Sequence, residues 1–144
     1  MAETFQLEIV TPDKAVVRDS AEEMQIPGKN GYLGILPGHA PLITELAVGE
    51  ISYRKGSETQ YIAVAWGFAE VLPDKVTILA ESAERAEDID VQRAEEALKR
   101  AEAHLKSGGP DTDFPRALAA LRRAEVRLQV AQKAGIGKTG VRSR

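Results

Sequence analysis

The sequence predicts an α+β fold, a strand-rich N-terminal half followed by an antiparallel two-helix hairpin. Three observations carry this. Up to about residue 82, short apolar-alternating segments recur with a turn signal roughly every ten residues, the pattern of a sandwich or barrel. From Asp88 the apolar period changes from two to that of a helix. Between the two helical stripes lies Lys106-Ser107-Gly108-Gly109-Pro110, too short to do more than reverse the chain.

The strand signals run in order. Phe5, Leu7 and Ile9 alternate with Gln6 and Glu8, as on a half-buried strand, and Thr11-Pro12-Asp13 ends the run. Lys14–Arg18 and Glu22–Ile26 follow, then the turn-rich Pro27-Gly28-Lys29-Asn30-Gly31. Gly31-Tyr32-Leu33-Gly34 reads as a turn that needs positive φ at glycine. Gly49–Arg54 and Thr59–Ala65 flank Lys55-Gly56-Ser57 as a hairpin. Ile62–Trp66 is apolar on both faces and belongs at the centre of its sheet. Phe68–Leu72 and Val76–Ala80 are joined by Pro73-Asp74-Lys75.

The first helix has Asp88 and Asp90 as capping candidates and the stripe Ala94, Ala97, Leu98, Ala101, Leu105. The second starts near Thr112 or Asp113, tolerates Pro115 in its first turn, and carries Phe114, Ala117, Leu118, Leu121, Ala124, Leu128 and Ala131. Alanine-rich stripes let helices approach closely but bury little area, so the hairpin should be marginal alone and able to detach. The expected divisions are 1–86, 87–134, and a basic, glycine-containing tail over 135–144 read as disordered.

Composition narrows the chemistry. The 144 residues contain no cysteine, which excludes disulfides and thiolate metal sites. No apolar run reaches the roughly 20 residues of a membrane helix, and the start has no signal-peptide pattern, so membrane association should go through a partner. Net charge is -3, yet Phe114–Arg144 holds eight basic residues against one acid, Glu125. That end should meet an anionic partner: nucleotide, nucleic acid or an acidic protein segment. Among aromatics the hairpin has only Phe114, part of its apolar stripe, so it offers no base-stacking platform and nucleic acid is disfavoured.

No catalytic motif or metal-ligand spacing is present. His39, in Pro37-Gly38-His39-Ala40-Pro41, has no nearby nucleophile and reads as a loop histidine bonded to backbone; His104 reads as a surface residue of the first helix. The arginines are more informative. Arg93 and Arg100 share one face of the first helix, and Arg116, Arg123 and Arg127 share one face of the second. Guanidinium groups bind phosphate oxygens in bidentate fashion. Glu84 and Asp90 supply carboxylates near the first helix for a ribose hydroxyl or an adenine amino group. By spacing alone, a nucleotide site, an acidic protein partner and a solvated basic face paired with Glu96 and Glu102 all remain open.

Gly31-Tyr32-Leu33-Gly34-Ile35-Leu36-Pro37-Gly38-His39-Ala40-Pro41-Leu42 resembles the signature loop of the ε subunits of F-type ATP synthases. Phe5–Pro12 and Gly67-Phe68-Ala69-Glu70-Val71 fit the same family, and the resemblance spans residues 4 to 134. It implies a β-sandwich of about ten strands, seated on the γ subunit and the c-ring, with Tyr32 and His39 near the c-ring. It implies a peripheral, non-catalytic subunit at the cytoplasmic face of the cell membrane. The hairpin would be a mobile brake that, extended, carries Arg122, Arg123 and Arg127 to an acidic segment of the catalytic β subunit and blocks ATP hydrolysis. Ile89-Asp90-Val91-Gln92-Arg93-Ala94 resembles the I/L-D-x-x-R-A motif of relatives that bind ATP in the folded-down state. By that resemblance Ile89, Asp90, Arg93 and Ala94, with Glu84, Arg100, Arg123 and Arg127, and Arg116 as a secondary position, would hold ATP as a regulatory ligand. No other cofactor and no metal is implied.

Overall fold

A computed structural model describes residues 3–139, with side chains to Ala134. Seven strands form one sheet: β1 (Phe5–Val10), β2 (Ala15–Ala21), β3 (Glu23–Gly28), β4 (Gly31–Ile35), β5 (Leu42–Lys55), β6 (Glu58–Val71) and β7 (Lys75–Arg85). Their order is β2-β1-β7-β6-β5-β3-β4, with β1 and β7 parallel and every other pair antiparallel. β6, apolar on both faces, takes the central position its composition called for.

The sheet is folded over on itself. Pairing skips Ala47 and Trp66 between β5 and β6, and Trp66 and Glu81 between β6 and β7, so the irregularities line up across three strands. Phe5, Leu7, Ile9 and Val17 from one end of the strand order share a single core with Met24, Ile26 and Ile35 from the other end. Strands so far apart in a flat sheet meet only if the sheet bends along that line into two facing layers. The Tyr53 hydroxyl of β5 donates to Asp19 Oδ2 of β2 at 3.0 Å across the closure.

This geometry corrects the strand boundaries. In place of about ten short strands there are seven, because β5, β6 and β7 are each continuous through the bend. The step at Trp66-Gly67, which separates two expected strands, is an unpaired position inside one continuous β6 with the register kept on both sides. Trp66 sits at φ 53°, and Gly67 at φ 135° lies against the Leu79 carbonyl. Gly31–Gly34, read as a turn, opens edge strand β4, although Gly31 does take a positive φ of 134°. The tight turn is Lys29-Asn30.

A 3-10 turn (Ala86–Asp88) leads into α1 (Val91–Ser107), whose first turn is capped by Asp90 accepting from the Arg93 N–H. Gly108, left-handed at φ 52°, closes it. In α2 (Phe114–Thr139) the Asp113 carboxylate accepts from the Arg116 N–H at 3.2 Å. The second helix therefore continues past residue 134 into the expected tail. Gly135 and Gly137 each cost a helix only about 1 kcal/mol, and no proline stops it. Residues 140–144, the remainder of that tail, lie outside the described residues.

α1 packs on α2 through Ala94, Ala101, Ala117 and Ala124, all buried, while the expected stripe residues Phe114 and Leu118 remain exposed. α2 has a second buried face. Val126 and Val130 join Ala63, Ala86 and Ile89 in a small cluster separate from the sandwich core, with Val48 and Tyr61 against it. The hairpin is thus docked on the sheet by α2, chiefly against β6. Among the described residues no helix is long and apolar enough to cross a membrane.

Candidate functional site: an arginine groove in the helical hairpin

Antiparallel packing of α1 and α2 leaves an open groove of about 780 Å³ between them. All five arginines singled out by spacing line it: Arg93 and Arg100 from α1, and Arg116, Arg123 and Arg127 from α2. Alanines form its floor, which brings the backbones close and leaves the guanidinium groups as the walls. Convergence of five permanent positive charges on one cavity is costly unless anions complete it.

Two of the five are held on the sandwich. Arg127 Nε donates to Glu84 Oε1 at 2.6 Å and its Nη2 to Oε2 at 3.3 Å, a bidentate pair that joins α2 to β7. The Arg123 guanidinium lies 5.3 Å from the centroid of the Trp66 ring, a cation–π contact with the bend of β6. Further along α2, Lys133 Nζ donates to Glu50 Oε2 at 2.8 Å and sits 5.0 Å from the Tyr61 ring. Trp66, Glu50, Tyr61 and Lys133 escaped the sequence reading. A lone aromatic or acid in a strand carries no local mark of a partner as far as 83 residues away along the chain. Val126 and Val130, an i, i+4 pair off the main stripe, were a legible signal that went unused.

The remaining predicted positions separate by role. Glu84 is outside the groove but grips one of its arginines. Ile89 is buried in the cluster beneath α2, and Ala94 is fully buried at the helix interface. Asp90 is the cap of α1, and its Oδ1 accepts from the Arg93 N–H at 3.1 Å. Within the Ile89–Ala94 motif only Arg93 lines the groove; the others place it there. Arg122 is exposed beside Arg123 on α2. His104, read as a surface residue, is exposed and lines the groove at the end near Asp111 and Asp113.

Tyr32 and His39 do not belong to this site. Tyr32 lies over Gly49, where a Cβ would come within 2.8 Å of its hydroxyl, and Oη accepts from the Glu50 N–H at 2.9 Å. His39 Nδ1 is 2.7 Å from the Ala40 carbonyl oxygen, so it is the backbone-bonded loop histidine its context suggested. A further surface stands out on the sandwich. Ile43, Phe68 and Leu79 project from adjacent strands on the outward face, 71 %, 53 % and 54 % exposed. Among the described residues no group of three histidine, aspartate or glutamate side chains is placed to hold a metal ion.

Both halves of this architecture are matched by known families. Residues 4–86 match the family described as ATP synthase, Delta/Epsilon chain, beta-sandwich domain, and residues 87–132 its long alpha-helix domain. The chain belongs to the ATP synthase delta/epsilon family. It is similar to the ATP synthase epsilon chain of Koribacter versatilis, 75 % identical over 111 residues that cover 77 % of this chain and 78 % of that one. It is also similar to ATP synthase epsilon chain 2 of Syntrophotalea carbinolica, 49 % identical over 95 % of this chain and 100 % of the relative. A chain in the Euglena gracilis mitochondrial ATP synthase structure superposes with a TM-score of 0.74 at 23 % identity, covering 92 % of this chain and 81 % of that one. That likeness is one of fold. Within the family frame, the sandwich and the hairpin are the two expected domains, and the groove lies wholly in the second.

Proposed function

We propose that this chain is the non-catalytic ε-type subunit of an F-type ATP synthase central stalk, peripheral at the cytoplasmic face of the cell membrane, and that its hairpin senses ATP. The sandwich joins the γ subunit to the c-ring. The exposed apolar patch of Ile43, Phe68 and Leu79 offers a seat for γ, since contiguous exposed apolar side chains on a sheet face mark interaction surfaces. Tyr32 and His39, on the loop and edge strand that resemble the family signature, are assigned to the c-ring.

The observation that carries the ATP reading is the lining of one groove by five arginines from two helices. Triphosphate oxygens supply the anions this charge calls for, through bidentate bonds. A ligand favours one conformation only through differential affinity. Here the difference has a structural origin. Arg93 and Arg100 face Arg116, Arg123 and Arg127 only while the helices are antiparallel, and Glu84 and Trp66 orient two of these arginines only while α2 is docked. ATP therefore stabilises the compact hairpin. When ATP is scarce the hairpin detaches and extends. Arg122, Arg123 and Arg127 then reach an acidic segment of the catalytic β subunit and block ATP hydrolysis.

Calorimetric titration of the full chain with Mg-ATP, beside ADP and an Arg100→Ala variant, tests the site. Arg100 is on α1, which packs against α2, so its removal should spare the docking contacts of α2. The expected result is saturable one-to-one binding, weaker for ADP and lost in the variant. Absence of binding at millimolar ATP would leave a structural coupling subunit whose arginines serve the β subunit alone.

A further inference from the structure

Resting on that reading of the groove as a polyphosphate site, we propose that His104 makes its nucleotide affinity depend on pH, its protonation in acid strengthening the hold on ATP and with it the compact hairpin.

The groove is built almost wholly from groups of fixed charge. On α1, the element that carries His104, Arg93 and Arg100 face the cavity; from α2 opposite come Arg116, Arg123 and Arg127. Guanidinium stays protonated at every physiological pH. The anionic groups at this end are Asp111 and Asp113 of the connecting loop, and the Asp113 carboxylate is occupied as the cap of α2. Imidazole is the one side-chain type in the lining that changes charge between about pH 5 and 8.

His104 is placed to act on a ligand in the cavity. It follows Arg100 by four residues, one turn along the same face, about 6 Å up the axis. The two cations at the loop end of the groove are Arg100 and Arg116, so a protonated His104 extends their positive wall by one charge. Its side chain is exposed, so protonation needs no rearrangement of the hairpin.

Linkage fixes the sign. A polyphosphate in the groove favours the charged imidazole, so the bound state takes up more proton than the free state. By reciprocity, lowering pH through the histidine range tightens the ligand. The terminal phosphate of the nucleotide titrates in a similar range and acts in the opposite sense, because it loses negative charge in acid. The histidine contribution is therefore read as a difference between proteins, not from one pH profile. At a solvent-open site one added charge changes affinity by about threefold.

The experiment measures the Kd of Mg-ATP at about pH 6 and about pH 8, on either side of the histidine range, for the full chain, His104→Gln and His104→Lys. The ratio of the two affinities should favour acid about threefold more in the parent chain than in His104→Gln. His104→Lys, charged at both values, should give the same ratio as the glutamine variant, with binding at the alkaline end tighter than in the parent chain. Identical ratios in the parent and His104→Gln, with ATP still bound, would overturn the role of His104 and leave the arginine site standing. Failure of all three proteins to bind at either pH would overturn the nucleotide site itself, and this inference with it.

Discussion

Val130→Ala tests whether the hairpin is held by its own small core. Val130 is fully buried on α2, in the cluster with Ala63, Ala86, Ile89 and Val126, and it does not line the arginine groove. The substitution removes the equivalent of two methylenes, a transfer loss of about 1.6 kcal/mol at about 0.8 kcal/mol each. Incomplete collapse of the vacated space brings the total to about 2 kcal/mol. At about 1.4 kcal/mol per factor of ten, the equilibrium for undocking rises about 25-fold. Because the cluster is separate from the sandwich core, this cost falls on docking and not on the sheet. Native-state hydrogen exchange reads both at once. Amides of α1 and α2 should exchange about 25-fold faster, while those of β1 and β7 keep their protection. Saturation with ATP at about a hundred times its Kd adds about 2.7 kcal/mol to the compact state and should restore helix protection. Equal acceleration of helix and strand amides would show that hairpin and sandwich form one cooperative unit. Unchanged helix exchange would show that this cluster does not hold α2.

Two other perturbations examine the sandwich. Gly67→Ala should lower stability by several kcal/mol, seen as a large fall in the thermal midpoint: the backbone is at φ 135°, and a Cβ would sit 2.8 Å from Ala80 Cα and against the Leu79 carbonyl. Burial, reinforced by the Asp19 carboxylate, pushes the Tyr53 phenol up from 10.0 to about 12. The folded pKa exceeds the unfolded one, so the stability Tyr53 contributes is complete below about pH 10 and is lost as pH rises through about 12. Ultraviolet titration should show a late phenolate step that Tyr53→Phe abolishes.

Much of this protein was legible in one dimension because its signals are local. Period-two alternation at Phe5, Leu7 and Ile9 marked β1. The capping chemistry of Asp90 and Asp113 and the left-handed Gly108 fixed both ends of α1 and the start of α2. The seven- and four-residue spacings of the arginines set them on common helix faces, since a helix maps spacing onto direction without help from the rest of the chain.

What lay beyond the sequence was whatever depends on the meeting of distant segments. Trp66-Gly67 looks like the end of one strand and the start of another; only its alignment with the unpaired Ala47 and Glu81 of the neighbouring strands makes it the crease that folds the sheet. Val126 and Val130 show their purpose only against Ala63 and Ile89. Gly135 reads as a helix stop because its cost is local, yet α2 runs on to Thr139. The sequence by itself determined which arginines can act together. The tertiary structure alone decided that the two sets face one cavity, that Glu84 and Trp66 hold two of them to the sandwich, and that His104 stands among them. Helix geometry propagates from neighbour to neighbour along the chain, whereas an interface exists only once packing has brought two surfaces within contact.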